Sequence, residues 1–434
     1  MKVKQGKADL TSTGGNVVAG HVLTGVDTHK HLPDFQHRRA DAISDHDILM
    51  TMVGMLANGR TDFCDVELYR YDEVFKQSYG IKRLPSESTL RNRFDEFPLN
   101  AEDAIRKLST SLLKEVSFGQ VEVGELQLTP LDMDVSCMDN SGSHKKGCSY
   151  TYTKCHGFSP NFAYIGTEGF MLNAELRPGS QHCQNGTPEF IEKALAQVKQ
   201  LGLQGHILCR LDSGNDACKT ISTLKDELFI VKRNLRKESP EQWLDMARCV
   251  GVLETPREGK NVYWGTVEHK VPGGDDTQPA CPIAFRVIER TSDHEGNRFL
   301  IPEVEVETYW TNLLCSAQRV VELYHAHGTS EQFHSELKSD MDVERLPSGD
   351  FYVNRLILLC GMVSFNILRT IGQKVIARAS LAKQKITVAR WRLKTVLQNI
   401  IYCAARIVRH AGRVELHFGR NCPWFAVIDD MLKT

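Results

Sequence analysis

Two aspartates, Asp132 and Asp134, lie in the alternating run LQLTPLDMDVSC, Leu126 to Cys137. Strand side chains two apart share a face. Flanked by Leu131, Met133 and Val135, a buried carboxylate there needs a cation, an ion pair or an edge position; the plain alternative leaves both on a solvated sheet face. Asp212 ends the apolar run HILCRL and precedes Ser213-Gly214. Carboxyl ends of strands are where open α/β sheets place ligands, and the competing reading is an N-cap for the next helix. Glu331 lies in the polar stretch Tyr324 to Lys338. On a continuous helix Tyr324, His327, Glu331, His334 and Lys338 share one face. That face is either a solvated surface or a site presenting an acid, cations and donors to an anion, and Gly328 is where the helix would break. Asp134, Asp212 and Glu331 on separate elements suit two Mg²⁺ (or Mn²⁺) ions, hard cations that take oxygen ligands and clamp both oxygens of an in-line phosphoryl transfer.

A rival constellation is Cys137, His144, Cys148, Cys155 and His156, followed by His182-Cys183. Zinc sites favour tighter cysteine pairs than Cys148 and Cys155 offer, so these read as plain core or surface thiols. Trp310 reads as a buried strand tryptophan rather than a base-stacking one.

The elements that must carry these residues follow from periodicity. Residues 1–44 form an arm with little pattern. From Ser44, a plausible N-cap, Ile48, Leu49, Met52, Val53 and Leu56 repeat at helical spacing, and a helical unit spans 45–120 with Arg91 and Arg93 as candidate DNA contacts. The period then shifts to two. Strands are predicted over Leu126 to Cys137, Asn161 to Thr167 and Gly169 to Leu176, the last two a hairpin turning at Glu168-Gly169. A helix opens at Thr187-Pro188 and closes at Gly202, followed by the HILCRL strand, a helix from about Asn215 to Lys225, and a strand over Leu228 to Val231. This β-β-β-α-β-α-β order is a ribonuclease-H-like layout, and 121–232 is taken as the first part of an α/β core. Residues 233–315 read as a β-rich insertion, with strands at 261–267, 282–289 and 304–314 and a turn at Pro272-Gly273-Gly274-Asp275-Asp276. The core resumes over 316–372, with the Glu331 helix and a buried helix over Tyr352 to Ile371; 373–434 is a basic C-terminal region.

The chain of 434 residues is 41% apolar and 25% charged, which excludes disordered, collagen-like and coiled-coil readings. Lys and Arg number 53 against 54 acidic residues, yet the stretch from Arg369 to Arg420 carries twelve basic residues, Arg390, Arg392 and Lys394 among them, against Glu415 alone. Such a region would neutralise a phosphate backbone. The 13 cysteines without a regular framework, and an N-terminus lacking an apolar signal core, fit reduced thiols in a cytosol. The longest apolar run, from Leu356 toward Phe365, is interrupted by Gly361 and Ser364 and reads as a buried helix, not a membrane span.

Tyr324, two residues, His327, three residues, Glu331, six residues, Lys338 resembles the Y-x2-R-x3-E-x6-K signature of bacterial insertion-sequence transposases of the DDE class. With LDMDVS and RLDSGND, the sequence is similar to the branch with a long β-rich insertion between the second Asp and the Glu. The resemblance spans about 120 to 420. It implies Asp134, Asp212 and Glu331 as the catalytic, metal-binding triad, and selects Asp134 over Asp132 because the family's first Asp precedes x-Thr or x-Ser. It implies Tyr324 and Lys338 as positioning or DNA-contacting residues, and places His327 where the family has Arg. A neutral His lacks Arg's bidentate phosphate grip. The implied activity is metal-dependent cleavage at element ends and joining of the 3′-OH to target DNA, by a synaptic homodimer bound to terminal inverted repeats, in the bacterial cytosol at the nucleoid. Two alternatives stay open: a structure-specific nuclease with the same core, and a non-catalytic DNA-binding relic of a transposase.

Overall fold

The alternation around Asp134 folds as expected. In the computed structural model, which describes residues 1–273, 280–383, 385–410 and 413–433, Leu126–Val135 is an inner strand of a ten-stranded mixed sheet. It pairs in parallel with His206–Leu211 on one side and antiparallel with Asn161–Ile165 on the other. Phe170–Glu175 closes the hairpin, and Leu228–Lys232 lies parallel beside His206–Leu211. The hairpin turn packs under the Glu331 helix, where only glycine fits: Gly169 has φ +70°, and a Cβ there would lie 2.2 Å from the Phe333 ring.

The expected insertion is not a separate β subdomain. Its strands Val252–Arg257, Lys260–His269, Cys281–Ser292 and Arg298–Thr311 extend the same sheet, because Tyr309, Trp310 and Thr311 pair antiparallel with Lys232, Val231 and Ile230. An apolar strand edge left open would expose unpaired backbone groups, and the insertion covers it. The insertion also contains a helix, Pro240–Val250, in a stretch read as mainly β. Its signals were in the sequence: Ser239 and Gln242 form a reciprocal capping box, and Pro240 opens the first turn. Of the expected turn at Pro272 to Asp276, positions 274–276 lie outside the described residues.

Thr187–Leu201 buries Phe190, Ile191 and Ala194, and ends at left-handed Gly202 as predicted. The helix after Asp212 is shorter than expected, a 3₁₀ turn at Ser213–Asn215 followed by Cys218–Thr223. The N-terminal arm contains a helix, Asn16–Leu23, whose Asn16 side chain exchanges hydrogen bonds with Asn58. Leu10–Thr11 pairs with Ala405–His410, which forms a hairpin with Arg413–Phe418.

Phe351–Ile376 is the central helix. It is long and apolar enough to cross a membrane, yet 83% of its most apolar window is buried inside the protein. Ile48, Leu49, Met52 and Val53 of the N-terminal helical unit share one apolar cluster with Leu356, Ile357, Leu359 and Val363 of this helix and with Val427 and Ile428. Asn366 fastens it to the sheet, accepting from Met171 N at 2.8 Å and donating to Met171 O and Ser109 Oγ at 2.8 and 3.0 Å. Asn366→Ala leaves a buried N–H and C=O unpaired and should cost about 2–4 kcal/mol, read as a lowered urea midpoint. A variant within 0.5 kcal/mol of wild type, roughly the scatter of surface substitutions, would contradict this role.

Candidate active site

Asp132 and Asp134 share a strand face but have different surroundings. Asp132 is 2% exposed, and Arg210 directly opposite it donates through Nε and Nη2 to Oδ1 and Oδ2 at 2.6 and 2.8 Å. His327 Nδ1 lies 3.0 Å from Asp132 Oδ1, without hydrogen-bond alignment. Burial alone would raise the Asp132 pKa; the Arg210 and His327 charges outweigh it and hold the carboxyl below its ordinary value. The remaining Arg210 Nη1 donates to Leu323 O at 2.6 Å, tying in the helix Ala317–His325.

Asp134 is one step nearer the strand end and partly open. Its Oδ2 is 3.3 Å from His334 Nε2, and His334 Nδ1 is 3.2 Å from the Tyr164 hydroxyl. With Nε2 protonated toward the carboxylate, Nδ1 accepts from Tyr164. Asp212 follows the adjacent strand, and Asn215 Nδ2 donates to its Oδ1 at 2.6 Å. Asp212 also occupies the N-cap position of the following 3₁₀ turn, as the competing reading has it, although its side chain makes no capping hydrogen bond. Burial and then the Asp134 charge raise the Asp212 pKa, opposed by Gly214 N–H, Asn215 and His327.

The Tyr324 to Lys338 stretch stays helical through Gly328 by changing its winding. It runs as α-helix to His325, a 3₁₀ turn over Ala326–Thr329, α-helix over Ser330–Ser335 and a π turn over Glu336–Asp340. All five residues of the expected face meet the Asp134 strand or its cleft. Tyr324, His327 and Glu331 line the cleft, His334 reaches Asp134, and Lys338 Nζ donates to Cys137 O at 3.1 Å. Burial, with the charge of Asp212 next in size, raises the Tyr324 pKa. Glu331 is exposed. The cleft, about 900 Å³, is also lined by Asp134, Asp212, Tyr150, Tyr152, Cys183 and Lys232.

The expected DNA-contacting cations are mostly engaged within the chain. Arg390 pairs with Glu336 and donates to Gln332 Oε1 at 2.8 Å; Arg392 pairs with Asp340 at 2.8 Å and donates to Ser335 Oγ. Lys394 donates its backbone N–H to Asp340, with its side chain exposed. Arg369, counted with the basic stretch, is buried against Glu336 at 3.0 Å. Arg93 is buried against Asp45, and Arg91 pairs with Glu87. The π turn explains the first group, since it swings Glu336 and Asp340 toward the basic segment.

Trp310 is fully buried and donates to Asp216 Oδ1 at 2.9 Å, as a core tryptophan does. Cys137 and Cys155 place their sulfurs 3.1 Å apart, but among the described residues no three His, Cys, Asp or Glu side chains are gathered into a metal-ligating group. That holds for the three carboxylates as well. Sequence reasoning missed Lys232, Tyr150, Tyr152 and the His334–Tyr164 pair that orients Asp134. Two of these had a signal: His334 lies on the polar face read from spacing, and Lys232 follows LFIV as Asp212 follows HILCRL.

A large mixed sheet with two carboxylates at the ends of adjacent parallel strands, and a third on a helix across the cleft, defines a mixed α/β protein with an acidic site. The family described as Transposase DDE domain group 1 matches residues 1–434, and the chain belongs to it. Membership makes it a DDE-type transposase by family. A piggyBac transposase synaptic complex with hairpin DNA is similar in structure, with TM-score 0.41 and 10% identity over 92% of this chain and 82% of that one. No curated protein sequence matches the chain.

Two stability measurements test these surroundings. Arg210→Met strands the Asp132 carboxylate and should cost about 3–5 kcal/mol in chemical unfolding, with Arg210→Met/Asp132→Leu recovering much of it. A single variant as stable as wild type would refute the pairing. Asp212 behaves oppositely. Its folded carboxyl holds its proton to higher pH than the unfolded one, so its contribution is best below the ordinary carboxylate pKa of about 4 and worsens as pH rises through the raised value. In metal-free protein Asp212→Asn should raise Tm at pH 7 by about 1–2 °C, and the gain should shrink toward pH 4. A lower Tm at pH 7 would mean that the charge is stabilised rather than strained.

Proposed function

We propose that this protein is a DNA transposase that cleaves phosphodiester bonds at the ends of an insertion sequence and joins the freed 3′-OH to target DNA. The observation that carries the reading is the placement of Asp134 and Asp212 at adjacent parallel strand ends, facing Glu331 across one cleft, in a chain of this family. The sheet supports it: the strands beginning at 126, 161, 170, 206 and 228 stand in the spatial order third, second, first, fourth, fifth, which we read as a ribonuclease-H-like core.

The residues suit divalent cations. The donor set is all oxygen, and of the causes that raise the Asp212 pKa, burial first and the Asp134 charge second, the charge is what a hard cation would relieve. Asp134, Asp212 and Glu331 would hold two Mg²⁺ or Mn²⁺ ions. When bound, such ions activate water or a 3′-OH and stabilise the leaving oxygen of an in-line displacement. The chain's own work is positioning. His334 and Tyr164 fix the rotamer of Asp134, Asn215 that of Asp212, and the Asp132–Arg210 pair keeps the two strands in register. Tyr324 walls the cleft. His327 stands against Asp132, so in this chain the position supports the aspartate pair rather than gripping a phosphate, and Lys338 supports the strand end through Cys137 O.

Around this core, the helical region over 45–120 is assigned to the terminal inverted repeats, and the exposed C-terminal basic residues, Lys394 included, to the DNA backbone. A homodimer would bring two ends together in the cytosol. The placement of His327 also supports a second reading, a non-catalytic DNA-binding derivative. Purified protein with Mg²⁺ and a supercoiled plasmid carrying the gene's own flanking DNA decides between them. The expected result is end-specific cleavage followed by joining, reduced about a thousandfold, roughly 4 kcal/mol of barrier, in Asp212→Asn and Glu331→Gln. Binding without cleavage in Mg²⁺ or Mn²⁺ would establish the derivative, and cleavage without joining a nuclease.

A further inference from the structure

Lys232 ends the strand next to the one that precedes Asp212. Register places it: Asp132 lies opposite Arg210 and Arg210 opposite Ile230, so two residues on, Asp134, Asp212 and Lys232 form a row across three neighbouring strands on one face. Lys232 is the lone lysine or arginine among the described residues lining the cleft. Its Nζ lies 6.0 Å from the centre of the Tyr324 ring, and it makes no hydrogen bond or ion pair among the described residues.

That isolation is informative. Lysine beside carboxylates ordinarily pairs with one, and here two stand in the same row. The other basic side chains expected near the cleft stand against groups of this chain: His327 beside Asp132, Lys338 at Cys137 O, Arg390 at Glu336 and Arg392 at Asp340. An ammonium at the cleft wall with no carboxylate partner among the described residues, its nitrogen over the Tyr324 ring, is a point-charge donor for an oxyanion.

Building on the DNA reading above, we propose that Lys232 binds a non-bridging oxygen of the phosphodiester seated beside Asp212. It supplies from the sheet the cation that His327, buried beside Asp132, does not supply from the helix. The acidic row and its single cation then divide the work: the aspartates hold metal, and the lysine holds the strand.

The test uses the full-length protein in Ca²⁺, with a fluorescein-labelled duplex carrying the gene's flanking DNA. Affinity is measured between about 50 and 200 mM salt, where each neutralised phosphate adds about 0.9 to the slope of log K against log salt. Lys232→Met should reduce that slope by about 0.9, lower the Mg²⁺-dependent cleavage rate at least about tenfold, and leave thermal melting unchanged. Lys232→Arg should restore the slope. If Lys232→Met does not fold, Lys232→Gln takes its place, with a second readout. A neutral methylphosphonate at the contacted position weakens wild type but costs the variant nothing further. A wild-type slope in the folded variant, while wild type cleaves, overturns the Lys232 assignment and leaves the transposase reading standing. Wild-type protein that neither binds nor cleaves this DNA overturns both.

Discussion

The buried pair of Asp132 and Arg210 is the contact on which the site depends. Two full charges, 2% and 3% exposed at their side chains, face each other across parallel strands in bidentate geometry. A one-residue slip between these strands would leave both charges buried without a partner, so the pair sets the register to which hydrophobic pairing alone is less sensitive. Asp134 and Asp212 lie two residues beyond it, and that register puts them side by side at the sheet rim. The third Arg210 nitrogen, bound to Leu323 O, extends the same constraint to the helix leading toward Glu331.

The far end of that helical stretch is anchored by a second buried charge system. Glu336 accepts from Arg369, Arg390 and the Leu393 backbone N–H, while Asp340 takes Arg392 and Lys394 N. The π turn places both acids on the side facing the 390–394 segment, and the central helix supplies Arg369. A region that looks like a DNA-binding stretch by charge count is in part a clamp. The arginine fork suits this duty, since its several donors satisfy a buried carboxylate that a lysine would leave partly unpaired.

How far the sequence was legible follows the range of the interactions. Strand alternation around Asp134, the HILCRL run and the cap and stop of the helix Thr187–Leu201 depend on neighbours in the chain, and they stand where periodicity puts them. The polar face from Tyr324 to Lys338 was visible as spacing, although its mixed winding was not, because the turn types balance around Gly328. What the sequence hid was set across long separations. The pairing of Tyr309 to Thr311 with Ile230 to Lys232 made one sheet of an apparent insertion, and each arginine's partner depended on that folding. Charge composition counts cations without saying which are already neutralised. The Asp134 partners His334 and Tyr164 lie 200 and 30 residues from it in sequence, beyond any local pattern.

The three carboxylates are held to different degrees. Asp134 and Asp212 are fixed by the sheet and by donors on either side, and burial, then the charge of Asp134, holds the Asp212 carboxyl above its ordinary pKa. Glu331 is exposed and follows a 3₁₀ turn, on a helix rather than on the sheet. Two carboxylates of like charge at adjacent strand ends, one of them largely buried, are a local cost to the fold. Strain of this kind costs folding stability and gains selectivity for an occupant that brings positive charge. In the same row stands Lys232, the cation that the proposal above assigns to an anion.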